Sequence, residues 1–524
     1  MSVLSTLQTA KMNALSTLQD YIQPLVGHID RSQISQEIYK HKWSILGGSV
    51  VLYVIHQYAS RPRNLPPGPI GYPIIGSFTE VTEDYPQNCM KLSKKYKSDI
   101  ISLYVGKRLN VMLNSAEAVK TAFVKTDVFI HRNPDMKKNF DLHEMLFTES
   151  YSEEWKKLKS FMMGSLKTHG MGTIKSEENM KLQLTRLKNH LQSQPDNTID
   201  TKDLNKLVVK AATCVIMKIL INGDYEYEDK DLEELLTLVN DFTSTFMWIF
   251  LFDFLPEFVE AVMRWPAARA YQAAIVRYRN FLKAQMEEHQ ASLDPHNTRD
   301  FMDDFLVMNS KTQALSEPQL LDTIMLLTPD ATVTTSNQML WPLFFLCWSP
   351  ESQEKLSEEI KAVCGDDMPG FKDPTRLPYC EAVMLESMRI SSFAALSGPH
   401  FNTEDVYLNG YFIPKYTRVQ ANIYAVHHDE KTFPEPEKFK PERFISKDGK
   451  LTGVENVIPF NVGPRKCVGE TLVKSQIFYY IAGLVQKFEL KFSEDTKVTN
   501  FEPDYSDNLF RSPPKHKIVF APRY

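Results

Sequence analysis

The chain has 524 residues, of which 43% are hydrophobic and 24% are charged. This composition excludes a disordered polymer and allows a large hydrophobic core. The formal net charge of −5 excludes the strongly basic surface of nucleic-acid-binding proteins, so no nucleic-acid partner is expected. The six cysteines are scattered without a Cys-x-x-Cys pair. Their spacing excludes a disulfide framework and a zinc ribbon, and it favours a reducing compartment.

Residues 1–42 form an N-terminal extension in which the pentapeptide LSTLQ occurs twice. The apolar residues of this extension recur near helical spacing, which is typical of an amphipathic helix lying on a membrane. A short surface helix or a frayed terminus explains the same pattern. A mitochondrial presequence is disfavoured, because no arginine precedes Arg31.

The next segment, WSILGGSVVLYVIHQYAS over residues 43–60, contains no Asp, Glu, Lys or Arg. We predict a membrane anchor there, flanked by basic residues that can extend a short span. A buried core helix is the alternative. Residues 61–69, RPRNLPPGP, are predicted to be a stiff extended hinge, because several prolines fix φ and exclude helix. Residues 70–524 carry long helical patterns with short β-like segments and are predicted to form one large domain.

Near the C-terminus, the stretch PFNVGPRKCVGE places Cys467 in a loop just before an apolar helical pattern. Gly463 allows a turn with positive φ, and Gly469 removes a side chain beside the thiol. The N-terminus of a helix favours a thiolate. A thiolate as the single protein ligand suits a metal whose other positions are filled by a macrocycle, which is haem. Phe460 can pack beside the sulfur, and Arg465 can pair with a haem propionate.

The spacing F-x-x-G-x-R-x-C-x-G in this stretch resembles the haem-thiolate signature of the cytochrome P450 family. The motifs LPY, GYFIPK and RDFMDDFL are similar to its microsomal animal branch, which includes many steroid and xenobiotic hydroxylases. The resemblance runs from about Leu65 to the C-terminus. It implies a mainly α-helical catalytic domain with small β-sheets, the cytochrome P450 fold, and haem b held by the thiolate of Cys467. No C-x-x-C-H motif for covalent haem attachment is present.

The resemblance also implies a buried triad and a set of haem-propionate partners. The motif ESMR contributes Glu386 and Arg389, whose spacing puts both charges on one helix face, and Arg443 would close the triad. A surface salt bridge is the alternative for this pair. The positions that match the family's propionate partners are Arg132, Trp155, Lys159, His400 and Arg465. The family usually has arginine where this chain has Lys159, and lysine keeps the charge but loses the fork geometry. A solvated surface charge is the alternative for each.

The helix on the oxygen side of the haem is expected within residues 316–346, where the family pattern A-G-x-[DE]-T is broken. Thr334 is retained, but Val333 replaces the acid and Asp330 replaces the first small residue. A hydroxyl near the bound oxygen with a carboxylate behind it forms a proton relay, and valine cannot relay a proton. Asp330 lies one helical turn before Thr334. It can therefore replace the relay acid, bind a polar substrate group, or be a paired structural acid beside Pro329.

The leading hypothesis is a monooxygenase that inserts one oxygen atom from O2 into a lipophilic substrate, namely a steroid, fatty acid, terpenoid or xenobiotic. NADPH would supply electrons through a reductase, for which Lys156, Lys157 and Lys466 form either a docking face or a plain solvated face. The missing acid at Val333 motivates a second hypothesis, an oxygen-independent hydroperoxide isomerase or dehydratase. A third hypothesis is a haem- and lipid-binding protein without turnover.

The predicted anchor, hinge and reduced cysteines together suggest where such an enzyme works. We expect the endoplasmic reticulum membrane, with membrane lipid as a partner and the catalytic domain facing the cytosol. A mitochondrial membrane is the alternative location.

Overall fold

The computed structural model describes residues 41–82, 84–132, 150–170, 173–252, 266–312, 315–504 and 510–523. The predicted amphipathic helix, in residues 1–40, therefore lies outside the described residues. The chain divides between Arg63 and Asn64 into two compact units. The boundary falls inside the segment predicted as a proline-rich hinge.

In the first unit, one helix, α1 (Lys42–Ala59), covers almost all of the segment predicted as an anchor. The large apolar side chains of Trp43, Leu52 and Ile55 are exposed on it. Among the helices of the described ranges, none is both long and apolar enough to cross a membrane. The prediction of a membrane-spanning anchor over residues 43–60 is therefore not confirmed, because glycine, serine, histidine and glutamine interrupt a short apolar stretch.

The described part of the second unit is mainly helical, as expected for the predicted fold class. Its first helices are α2 (Tyr85–Tyr96), α3 (Ala116–Phe123), α4 (Glu153–His169), α5 (Ile174–Gln192), α6 (Thr201–Ile221) and α7 (Lys230–Phe252). The chain continues through α8 (Pro266–Ser292), α9 (Phe301–Thr312), α10 (Glu317–Trp348), α11 (Pro350–Cys364), α12 (Pro378–Ser391), α13 (Ile423–His427) and α14 (Glu470–Lys487).

Three small sheets accompany these helices in the described ranges. The strands are β1 (Ile100–Val105), β2 (Arg108–Leu113), β3 (Thr198–Asp200), β4 (His400–Phe401), β5 (Val406–Leu408), β6 (Tyr411–Ile413), β7 (Arg418–Ala421), β8 (Phe488–Phe492) and β9 (Lys517–Pro522). Their orders are β1-β2-β7-β4, β3-β9-β8 and β5-β6. Strands β2 and β7 are parallel, and the other pairs are antiparallel. Predicted β segments at residues 100–105 and 110–113 fall on β1 and β2.

Helix α10 is the longest described helix and runs through the core, packed against α6, α14, α8 and α12. Ser316 begins it with a capping box, in which its side chain and that of Gln319 each accept a backbone N–H of the other residue. Its C-terminal half is buried on all sides, as expected for a helix that is apolar around its circumference. Together, α10 and α14 frame the site described below.

The proline-rich segment is fastened to the first sheet. The Ser102 backbone N–H donates to the Pro67 carbonyl at 3.0 Å, and its hydroxyl donates to the Pro66 carbonyl at 2.6 Å. At Gly68, a Cβ would lie 1.8 Å from the Ser102 carbonyl oxygen. Only glycine allows this approach, so the extended segment lies directly against β1.

Candidate active site

The loop before α14 is a tight structure that depends on its glycine. The Cys467 N–H donates to the Phe460 carbonyl at 3.0 Å, which closes the loop on itself. Asn461 and Gly463 have positive φ angles of 62° and 80°. A Cβ at Gly463 would lie 2.0 Å from the Phe123 carbonyl oxygen. The loop therefore packs directly on the C-terminal end of α3, at a position that only glycine can occupy.

Cys467 presents its thiol at the start of α14. All six cysteines lie in the described ranges, and Cys467 is the one that is exposed. Burial by the surrounding protein raises the pKa of its thiol to about 11, although the N–H groups of Gly469 and Glu470 act in the opposite direction. A side chain that is accessible and yet desolvated faces an interior space rather than bulk water. The predicted helix-terminus effect is present, but desolvation outweighs it; a metal bound at the sulfur would favour the thiolate.

Two cations flank an indole ring beside this loop. The Arg465 guanidinium lies 4.3 Å from the centre of the buried Trp155 ring, and the Lys159 ammonium lies 5.1 Å from it. Arg465 donates to the Ile130 carbonyl at 2.8 Å. Lys159 donates to the Pro464 carbonyl of the cysteine loop. Lysine in the place of the family's arginine thus ties α4 to the loop.

Arg132 and His400 lie together near Arg465, and both cations act on the His400 ring. Buried Arg132 donates to the Pro399 carbonyl at 2.6 Å. The His400 Nδ1 faces the Phe129 carbonyl at 2.7 Å, so Nδ1 carries the proton. Its Nε2 is then an acceptor, and Asn461 donates to it at 3.3 Å. Burial, followed by the charge of Arg132, holds the pKa of His400 well below its usual range.

This arrangement bears on the predicted role of His400. A neutral ring with Nε2 as an acceptor has no N–H to offer a carboxylate, so His400 as placed here does not donate to a propionate. The role of His400 as a propionate partner stays a prediction, and it would require a proton on Nε2 and the displacement of Asn461 from it. Asn461 itself was missed by sequence reasoning. The signal in the sequence is the residue type itself, because asparagine tolerates the left-handed φ observed at this position better than most residues do.

The residues around the loop fit haem b. Besides burial, the charge of Arg465 lowers the pKa of Lys159 and of His131, and it contributes to the low pKa of His400. Cationic side chains that lower one another's pKa are stabilised when anions bind beside them. The two propionates of haem would supply such anions. The donor set is equally consistent, because a lone accessible thiol suits a macrocyclic metal centre.

Glu386, Arg389 and Arg443, the residues of the predicted triad, meet where α12 packs on the segment 434–443. Glu386, fully buried on α12, accepts from Arg389 Nε at 2.7 Å, from Arg389 Nη2 at 2.9 Å and from Arg443 Nε at 3.0 Å. The Lys440 N–H adds a fourth bond at 2.9 Å. Arg389 also donates to the Pro436 carbonyl at 2.8 Å. The triad therefore fastens α12 to the segment 434–443, and the surface salt-bridge alternative does not describe Glu386 and Arg389.

Helix α10 presents its broken motif to the same interior space. Asp330 is accessible although Pro329 and Thr332 beside it are buried. Desolvation raises the pKa of Asp330 to about 6. The negative charge of Asp330 in turn raises the pKa of Cys467, so the two side chains are near enough to interact. The Thr334 hydroxyl donates to the Asp330 carbonyl one turn back.

Comparison with known proteins agrees with this geometry. A model of the cytochrome P450 family matches residues 66–520. Cytochrome P450 2C44 of Mus musculus is 32% identical over 476 residues, which cover 88% of this chain and 94% of the relative. Cytochrome P450 2E1 of Oryctolagus cuniculus is 28% identical over 495 residues, covering 92% and 98%. Cytochrome P450 2L1 of Panulirus argus is 29% identical over 481 residues, covering 88% and 96%. The chain belongs to the cytochrome P450 family, whose members are monooxygenases that hold haem b by a cysteine thiolate.

Proposed function

We propose that this oxidoreductase inserts one oxygen atom from O2 into a lipophilic substrate, with electrons from NADPH delivered by a reductase. One observation carries the proposal. The accessible thiol of Cys467 and the accessible carboxyl of Asp330 open to the same interior space, from α14 and α10 respectively. When bound, haem b supplies the iron at which O2 is activated, and a thiolate ligand favours cleavage of the O–O bond.

Haem would be held by the chain's own residues around this space. Cys467 would be the axial ligand, and Arg132, Lys159 and Arg465 would meet the propionates. Trp155 would support that group, since its ring lies beneath two of the cations. Each of these cations also bonds a backbone carbonyl in the folded chain. Their positions are thus fixed before the propionates bind, which favours binding through preorganisation.

The Thr334 hydroxyl oxygen can accept a hydrogen bond, but its own hydrogen is not free to be donated. Its hydroxyl hydrogen is committed to the Asp330 carbonyl. The lone pairs of its oxygen are therefore directed away from that bond, where they can accept a hydrogen bond. A water molecule that donates a hydrogen bond to these lone pairs would be oriented by Thr334.

Asp330 would be the proton donor of the relay. In the parts of the chain that the structure describes, its carboxylate makes no ion pair or hydrogen bond, and desolvation accounts for its raised pKa. This favours a working acid over a paired structural acid. A carboxyl with a pKa of about 6 holds a proton often enough near neutral pH to serve as a general acid. It lies one turn before Thr334, on nearly the same face, so it replaces the acid lost at Val333.

The substrate class and the cellular location follow from the resemblance to the microsomal branch of the family. Steroids, fatty acids, terpenoids and xenobiotics all stay admissible, because no residue in the described ranges selects among them. We propose the endoplasmic reticulum membrane, with the catalytic domain on the cytosolic side, on the resemblance to the microsomal branch; a mitochondrial membrane is the alternative. On the candidate reductase face, Lys156 pairs with Glu153 at 2.6 Å and Lys466 pairs with Glu470 at 2.5 Å. A docking partner would have to compete with these pairs.

Valine in place of the relay acid at residue 333 motivates a second candidate function. An oxygen-independent hydroperoxide isomerase needs no relay acid. The test compares two assays on the purified haem-loaded chain. The first follows oxygen uptake, NADPH oxidation and product with a reductase and a lipid panel. The second supplies a lipid hydroperoxide without a reductase. Product that requires oxygen and NADPH is expected. Turnover of the hydroperoxide alone would replace the proposal with the isomerase, and haem binding without turnover in either assay would leave a binding protein.

A further inference from the structure

A buried histidine outside the predicted site connects the triad to the cysteine loop. His427 ends helix α13, and its side chain is fully buried. The Ile458 backbone N–H donates to its Nε2 at 2.9 Å. Its Nδ1 lies 3.1 Å from the Ser392 hydroxyl. Ile458 stands two residues before Phe460, whose carbonyl accepts the Cys467 N–H.

The bond directions in this chain of groups are determined by their chemistry. A backbone N–H can only donate, so Nε2 of His427 carries no proton and Nδ1 carries it. Nδ1–H therefore donates to the Ser392 hydroxyl oxygen. That hydroxyl donates its own hydrogen to the Arg389 carbonyl at 2.8 Å. Every group in the series has one consistent role, so the series holds a single tautomer of His427.

Arg389 completes the connection through a separate bond. Its guanidinium, already bound to Glu386, donates to the His427 carbonyl at 2.8 Å. The backbone of His427 is thus held by the triad, while its ring holds the Ile458 N–H. Because the first bond uses the backbone and the second uses the ring, a substitution at position 427 removes the ring's bond and leaves the triad's bond in place.

We propose that His427 is a positioning residue: its neutral imidazole fixes the backbone at Ile458 and thereby sets where the cysteine loop presents its sulfur to haem. The segment from Ile458 to Cys467 is closed by the hydrogen bond between Phe460 and Cys467. A shift of Ile458 is therefore passed to the thiol. Because the inference rests on Cys467 as the haem ligand, its test includes a variant of Cys467.

The surroundings of His427 keep its ring neutral. Burial, followed by the charge of Arg389, lowers the pKa of His427 to about 3. The adjacent His428 is also buried and has a pKa well below its usual range. A protonated ring would place an N–H against the Ile458 N–H, so the neutral ring is the form that can hold the loop.

The experiment uses the full haem-loaded chain in three histidine variants and one variant of Cys467. His427→Leu removes the acceptor for the Ile458 N–H, and His427→Gln restores an acceptor of similar reach. His428→Leu is the control, because in the described structure His428 bonds the Tyr424 carbonyl and not the loop. The carbon-monoxide complex of the reduced protein is recorded for each. Its spectrum separates haem that is bound by a thiolate from haem that is not, while circular dichroism reports the folded fraction.

We expect His427→Leu to raise the ratio of non-thiolate to thiolate form about tenfold at equal folded fraction, and His427→Gln to recover most of the loss. A tenfold change corresponds to about 1.4 kcal/mol, within the cost of leaving a buried N–H without an acceptor. Ratios in His427→Leu that match those of wild type or of His428→Leu would overturn the proposal. If His427→Leu does not fold, His427→Gln decides: a mainly non-thiolate spectrum from folded protein overturns it, and a wild-type spectrum supports it.

Cys467→Ser separates this inference from the ligand assignment. Loss of the thiolate spectrum in Cys467→Ser supports the assignment on which the role of His427 depends. A thiolate spectrum that survives in Cys467→Ser would overturn the assignment, and the inference with it.

Discussion

Replacing Glu386 with glutamine neutralises the carboxylate at the centre of the buried triad. That carboxylate accepts four hydrogen bonds, three from guanidinium groups and one from the Lys440 N–H. Glutamine keeps the shape but turns an NH2 group towards arginine donors. Glu386 and Arg389 are both fully buried, so the cost of breaking a buried ion pair applies, about 3–5 kcal/mol. This is a large part of the roughly 5–15 kcal/mol that stabilises a typical domain.

Arg443→Met is the graded comparison. Loss of the Arg443 side chain leaves Glu386 bound by Arg389 and the Lys440 N–H. The carbonyls of Pro434, Glu435 and Lys438 also lose a donor, but these bonds are exposed and water can replace them. We therefore expect a smaller destabilisation of about 1.5–3 kcal/mol, set mainly by the charged hydrogen bond to Glu386. Glu117→Gln is the surface control, because the Glu117–Lys125 pair is exposed on both sides and such pairs contribute little.

The assay is urea unfolding of the haem-loaded chain, followed by tryptophan fluorescence and by haem absorbance. We expect the transition midpoint to fall most in Glu386→Gln, less in Arg443→Met and not measurably in Glu117→Gln. A Glu386→Gln midpoint at or above that of Arg443→Met would refute the account of the triad as a buried, fully bonded network.

Three further predictions concern the site. Asp330→Asn should reduce the product formed per NADPH and abolish the fall of this yield as pH rises through about 6; an unchanged pH profile would exclude Asp330 from the relay. Because the folded-state pKa of Asp330 is raised, ionisation of its carboxyl costs stability at higher pH. The variant should therefore also be more stable than wild type at neutral pH. Gly463→Ala should destabilise the folded loop by about 1–3 kcal/mol through backbone strain alone, and the clash with the Phe123 carbonyl adds to this. The measurement is the haem content of the purified variant, which should fall; full haem content would contradict the loop geometry. Lys159→Met should speed haem transfer to a scavenger protein up to about tenfold by freeing the Pro464 carbonyl, with Lys159→Arg near wild type; equal rates would exclude the contact.

The glycine of the cysteine loop and the pairing of Glu386 with Arg389 could be predicted from the sequence because their chemistry is local in the chain, whereas Arg443, 57 residues beyond Glu386, was assigned through the resemblance to the family. Glycine at residue 463 is needed by a positive φ, and Glu386 and Arg389 meet because i and i+3 share a helix face. Mainly helical structure could be predicted as well, since long helical patterns survive in the folded chain. These features depend on neighbours within a few residues.

Other properties of the site depend on parts of the chain that meet only after folding. The carbonyl that Lys159 bonds lies on the cysteine loop, far away in sequence. The neutral state of His400 comes from burial and from Arg132, and the high pKa of Cys467 comes from desolvation. Spacing in the sequence carries no information on any of these. The anchor prediction, which is not confirmed in the described residues, depended on a short apolar stretch beside flanking charges.

The central claim is that Cys467 binds haem iron as a thiolate, and Cys467→His tests it most directly. Histidine can still bind the iron, so haem should be retained while the ligand atom changes from sulfur to nitrogen. The measurement is the carbon-monoxide spectrum of the reduced protein beside that of wild type. The account predicts a thiolate spectrum in wild type that is absent from Cys467→His. An unchanged spectrum in Cys467→His would contradict it.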